Sequence, residues 1–267
     1  MRRLSGLVLL LALLSGCAAP GAAEHDHHVT TPTIDVDGAM PASYGGTLLN
    51  APMPENILQM VMTDHTGRMF KLADYANKTV VFTNFLTSCQ HVGPLTSTNI
   101  RAAARALDDS AMKDRVIFIE VTVDAAIDLP ERLAAYHQVF GFTSNVVLAT
   151  AAEKDLETLW NFFGAPATRY ELSPQEIKDN PRDWQTGAPS KFHWMHANIV
   201  ALIDENSTWR WLQSGTPDIE MHELPQEMQN YLSAEGVTLS QTHDEFSWRV
   251  SQVVSAIEDV MGHGINS

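Results

Sequence analysis

The chain has 267 residues, with 17 Lys and Arg against 32 Asp and Glu, and a formal net charge of −15. That balance excludes a nucleic-acid surface and a polybasic membrane patch, both of which need clustered basic residues. The two cysteines, Cys17 and Cys89, allow at most one internal disulfide, and none once Cys17 is modified.

Arg2 and Arg3 open the chain as a positive n-region, followed by the apolar stretch Leu4 to Leu14. The stretch is too short to span a bilayer as a stable helix. Leu14-Ser-Gly-Cys17 then reads as a lipoprotein processing box, so residues 1–16 are taken as a signal peptide and Cys17 as the lipidation site. More than one acyl chain on Cys17 suffices for stable anchoring. The expected address is extracytoplasmic, lipid-anchored to a bacterial cell membrane, where disulfides are permitted.

Residues 17–54 are rich in Ala, Gly and Pro and are expected to form a flexible tether. Glu24-His-Asp-His-His28 lies inside it. Such a tract captures copper or zinc, or serves simply as a solvated linker. Next, Leu58 to Met62 and Arg68 to Leu72 flank the turn Asp64-His-Thr-Gly67 and predict a hairpin. Thr79 to Phe85 and Val116 to Val123 predict buried strands, and Asn145 to Leu148 a shorter one. Helices are predicted over Thr96 to Leu107, Leu129 to Val139 and Glu153 to Phe163, the second opened by Pro130. Residues 164–192, with Pro166, Pro174, Pro181 and Pro189, read as a long irregular insertion. A hairpin follows at Ala197 to Ile203 and Thr208 to Gln213. Helices near Glu220 to Ala234 and Asp244 to Met261 close the chain. In the last, Phe246, Val250, Val253, Val254 and Ile257 fall at helical spacing, which points to a packed extension. Strands alternating with helices and a closing hairpin indicate an α/β fold of thioredoxin-like type, a central mixed sheet flanked by helices.

Cys89 ends a buried strand just before a helix. A helix N-terminus favours thiolate, so a lowered pKa is expected there; the alternative role is that of a small apolar core residue. His196 directly precedes the strand expected beside that of Cys89, which brings it to the same end of the sheet. Asp124 and Asp128 suit turn and capping chemistry before the next helix. A C-x-x-C site, a G-x-S-x-G elbow, a phosphate-cradling glycine loop and a zinc motif are all missing.

Thr87-Ser-Cys-Gln-His-Val-Gly-Pro94 resembles the T-S-C-x-x-x-C-P loop of the Sco/SenC family, the thioredoxin-fold copper proteins of cytochrome c oxidase assembly. Val121-Thr-Val-Asp-Ala-Ala-Ile-Asp-Leu-Pro130 is similar to the family's V-S-V-D-P-x-x-D-T-P. Met195-His-Ala-Asn-Ile-Val-Ala-Leu-Ile-Asp204 is similar to its histidine segment, with Met195 for the usual aspartate. The resemblance implies one copper ion held by Cys89 and His196. The family's second cysteine falls on Gly93, with His91 as the nearest substitute ligand and Met195 another. One thiol also rules out the family's dithiol cycle within a chain.

The expected organisation is signal 1–16, tether 17–54, thioredoxin-like domain 55–235 with the insertion 164–192, and a helical extension over 236–267. The expected role is a membrane-anchored copper-binding assembly factor rather than an enzyme, acting in oxidase assembly or periplasmic copper homeostasis. Its expected partner is an oxidase subunit or another copper or thiol protein. The rivals are a monothiol redox protein using Cys89 and an interaction scaffold with a degenerate site.

Overall fold

The computed structural model describes residues 38–244 and 247–263. The signal peptide, Cys17, the His-rich tract and Phe246 lie outside them.

Among the described residues, nine strands form one mixed sheet in the order β1-β2-β11-β10-β5-β6-β7-β3-β4. These are β1 (Met40–Pro41), β2 (Thr47–Pro52), β3 (Met62–Asp64), β4 (Met69–Phe70), β5 (Thr79–Phe85), β6 (Val116–Thr122), β7 (Val146–Thr150), β10 (Ile199–Ile203) and β11 (Thr208–Ser214). The centre, β5-β6-β7, is parallel; β10 joins β5 antiparallel, with Val200 opposite Thr83. β8 (Thr168–Glu171) and β9 (Phe192–Met195) pair apart from it.

Every residue of β5 and β6 is buried, as expected of β-branched and aromatic runs covered on both faces. Alternation along β5 sends Val81 and Phe85 to one face and Phe82 to the other. The first face packs beneath α2 (Val92–Ala106), α3 (Pro130–Phe140) and the last helix, α8 (Val250–His263), through Leu95, Ile100, Tyr136, Val253 and Ile257. The second packs beneath α4 (Glu153–Phe162), through Trp160 and Phe163. The last helix is the packed extension that its periodicity implied, with Val253 and Ile257 fully buried.

Four expectations need correction. Residues 40–52, read as tether, instead add β1 and β2 to the sheet; β2 pairs with β11, and Leu49 is buried. Backbone pairing with β11 and burial of Leu49 outweigh the local Gly and Pro signal. The entry hairpin is shorter than expected: α1 (Glu55–Leu58) takes Leu58, residues 59–61 connect it to β3, and a 3-10 turn takes Leu72 at the far end. The insertion is less irregular than its prolines suggest: it carries β8 and α5 (Pro174–Asp179), the latter opened by Ser173 and Glu176 in a capping box. The long helix expected near Glu220 is broken into a 3-10 turn, α6 (Gln226–Gln229) and α7 (Ala234–Leu239), with Pro225 and the cap Ser233 as breaks.

Candidate metal centre

Cys89 lies in the turn between β5 and α2, half-buried, with its N–H donating to Leu86 O at 3.2 Å. Gly93 N–H, in the first turn of α2, donates to Cys89 Sγ at 3.3 Å. A side chain at position 93 would begin 2.8 Å from Cys89 Cβ and 3.0 Å from Sγ. The site expected to hold a second thiol in the family therefore faces Cys89 directly, and glycine lets the helix close onto the sulfur.

The expectation of a lowered thiol pKa is overturned. Burial pushes the Cys89 thiol up, and this outweighs the pull of the His91, Gly93 and Val92 amides; the Glu235 carboxylate adds to the rise. The helix terminus acts in the expected sense but is the smaller effect.

His196 sits ahead of β10. Asn84, fully buried on β5, holds the backbone that follows His196: Asn84 Nδ2 donates to Ala197 O at 2.7 Å and Asn84 Oδ1 accepts from Ile199 N–H at 3.1 Å, with Nδ2 also 3.1 Å from His196 Nδ1. His196 Nδ1 is also 3.1 Å from Ala197 O. The two contacts ask for opposite tautomers: Asn84 Nδ2 donates only to a bare Nδ1, and Ala197 O accepts only from Nδ1–H. A ligand on Nε2 requires the second, in which Asn84 holds the Ala197 carbonyl rather than the ring. Burial lowers the His196 pKa and only partly loses to the Ala197 bond, so the imidazole is neutral at physiological pH. Cys89 and His196 thus stand at the same end of the sheet, on loops that leave and enter the paired strands β5 and β10.

His91 precedes α2 as its cap residue. Its Nε2 is 3.5 Å from Glu235 Oε2, and its ring meets His193 edge to face at 4.8 Å. Together with Tyr170 and Glu176 they line a cavity of about 170 Å³. Met195 is exposed. Among the described residues, no three His, Cys, Asp or Glu side chains are grouped as metal ligands. A cysteine sulfur and an imidazole are ligand types that suit copper.

Beneath the loop lies a network built around Asp128 and Asp124, which the sequence suggested only for turn chemistry. Asp128 is fully buried, accepts from Thr87 N–H at 3.1 Å and from the hydroxyls of Thr87 and Thr122, and stands 3.6 Å from Arg132 Nε. Burial raises its pKa to about 6 against the pull of these donors. Arg132 also grips Asp183 of the insertion through two bonds, at 2.6 and 3.1 Å. Burial alone would raise the Asp183 pKa, but the Arg132 and Thr186 bonds hold it low. Asp124 accepts from the amides of Ala126 and Ile127, the expected turn role, and also from the Trp194 indole at 2.7 Å. Glu120 was not singled out from the sequence. It is fully buried on β6, accepts from Ser97 Oγ at 2.7 Å, and burial pushes it up to about 8. A charged letter inside Val116-Ile-Phe-Ile-Glu-Val-Thr122 was the available signal.

The SCO1/SenC family model matches residues 57–232, and the chain belongs to that family. Solved structures share the layering. Arabidopsis thaliana ScoI with copper bound is 11% identical, with a TM-score of 0.53 over 76% of this chain and 96% of that one. Yeast Sco1 with copper bound is 12% identical, with a TM-score of 0.51 over 79% and 88%. The apo Sco1 protein of Thermus thermophilus is 17% identical, with a TM-score of 0.51 over 83% and 99%. At these identities the likeness establishes the fold, a thioredoxin-like mixed α/β layering. No curated protein matches the chain. Among the described residues, no helix is long and apolar enough to cross a membrane.

Proposed function

We propose that this protein binds one copper ion through Cys89 and His196 and passes it on, in cytochrome c oxidase assembly or in extracytoplasmic copper homeostasis. The observation that carries the proposal is a single thiol, met by the first amides of α2, and a neutral imidazole set against the Ala197 carbonyl at the same sheet end. Copper would supply the cargo. Cys89 would offer a sulfur and His196 its Nε2, while exchangeable donors, water or the neighbouring His91, complete the shell. A site with fewer protein ligands releases its ion more readily, which suits delivery. Lipid on Cys17 would hold the chain at the membrane beside its partner, an oxidase subunit or another copper or thiol protein.

The raised thiol pKa tells against the monothiol redox alternative, since that chemistry needs the thiolate at neutral pH. Copper binding tolerates it, because the metal displaces the proton and affinity then rises with pH.

The test is copper stoichiometry in a chain whose His25, His27 and His28 are changed to Ala, so that the N-terminal tract contributes no ligands. One copper per chain is expected, abolished by Cys89→Ser and weakened at least about tenfold by His196→Ala. Equal uptake by the parent and Cys89→Ser chains overturns the proposal.

A further inference from the structure

The bonds that the Cys89 turn makes to itself gather on Cys89, with the His91 and Val92 amides also turned toward its sulfur. Within it, Cys89 N–H reaches Leu86 O and Gly93 N–H reaches the sulfur. Without a second thiol at position 93, neither a bridge nor a shared metal ties its two ends.

Its carbonyls are taken up from outside. Trp184 of the insertion donates its indole N–H to Thr87 O at 2.9 Å. Tyr231 donates its hydroxyl to Ser88 O at 3.0 Å. Ser233 donates both its backbone N–H, at 2.9 Å, and its hydroxyl, at 3.2 Å, to Gln90 O. In return, Gln90 Nε2 donates to Pro181 O at 2.7 Å. The approach of α7 is so close that a Cβ on Gly236 would lie 2.3 Å from Gln90 O, so only glycine fits there. Tyr231, Ser233 and Gln90 are buried, and Trp184 is half-buried beneath the Arg132 guanidinium, 5.2 Å from its ring.

We infer that Trp184, Tyr231 and Ser233 are positioning residues for Cys89: the insertion and the C-terminal segment form a collar that holds the turn's backbone in place of the restraint a second cysteine would provide. The inference rests on Cys89 as the working thiol of the proposed function. Two segments distant in sequence converge on three carbonyls of one four-residue turn. Trp184→Phe and Tyr231→Phe remove their bonds, while Ser233→Ala removes only the hydroxyl bond, together with the cap on Gly236 N–H, and leaves the backbone N–H on Gln90 O.

The experiment follows alkylation of Cys89 by iodoacetamide in the full mature chain under native conditions, read by peptide mass spectrometry. The control is Tyr44→Phe, which removes a hydroxyl bond to Asp259 on the α8 side of the fold. Loss of two neutral hydrogen bonds predicts alkylation about tenfold faster in the Trp184→Phe/Tyr231→Phe chain, with Ser233→Ala in the same direction and Tyr44→Phe unchanged. In the Cu(II)-loaded chains, the thiolate-to-copper absorption band should shift in the collar variants and not in the control. An unchanged alkylation rate in the double variant overturns the inference, as does an equal rise in Tyr44→Phe. Alkylation needs no copper, so a chain that takes up no metal would overturn the copper proposal while the collar is judged on its own.

Discussion

The two sides of the Cys89 turn are built unequally. The side proposed to face copper offers one sulfur, a backbone amide 3.3 Å from it, and a glycine where a side chain would touch the thiol. On the opposite side, Thr87 alone engages Asp128, Arg132 and Trp184. The contrast teaches that the shape of this turn is set by the network beneath it and not by the proposed metal donors. A site held this way can lose a ligand and keep its geometry, whereas losing one member of the network beneath should collapse it.

Breaking the network should have the largest effect. Arg132→Ala leaves the fully buried Asp128 without its cation and releases Asp183, and removing one partner of a buried ion pair costs about 3 kcal/mol or more. Denaturant unfolding measures it; a loss under about 1 kcal/mol would show that the network is not what holds the turn. His196→Ala, on the ligand side, should change stability far less than it changes copper uptake.

Glu120 sharpens the comparison through pH. Its pKa is about 8 in the folded chain against an ordinary 4.5, so the folded state keeps a proton that the unfolded state releases. Stability therefore falls as pH rises through that window. Asp128 acts in the same sense only up to about 6. Between pH 6 and 8 the loss assigned to Glu120 is on the order of 2 kcal/mol. Glu120→Gln should flatten the profile there, as read from thermal midpoints across pH. A variant with the parent's slope would place the titration elsewhere.

Gly93→Cys fills the sparse side. Its Cβ begins 2.8 Å from that of Cys89, closer than the roughly 3.5–4.5 Å of a disulfide, so the first turn of α2 must back away by about 1 Å. The expected result is a bridge that forms under mild oxidation and reopens with reductant, counted as free thiols by mass spectrometry. Two thiols that stay free would mean that α2 cannot yield. The smallest effect expected is that of Trp194→Phe, which removes one bond to Asp124 and should cost about 1 kcal/mol in the same unfolding assay.

The central strands were legible because burial on both faces writes a continuous apolar run: β5 matches its sequence span, and β6 ends one residue short of its own. Cys89 and His196 were legible as loop residues flanking those strands. What could not be read depends on partners far along the chain. β2 is a strand because β11 pairs with it, although its own residues signal breaks. Trp184 lies 97 positions from the carbonyl it binds, and nothing in the Pro-rich insertion announces that contact. The sign of the thiol shift was missed because position before a helix gives one contribution, while burial, a tertiary quantity, gives the larger one.

The account stands most directly on what surrounds bound copper. X-ray absorption at the copper edge, on the chain with its N-terminal histidines replaced, measures the number of sulfur and nitrogen neighbours. One sulfur per copper with nitrogen beside it is predicted, the sulfur vanishing in Cys89→Ser and one nitrogen in His196→Ala. A copper shell without sulfur, or one unchanged by Cys89→Ser, would contradict it.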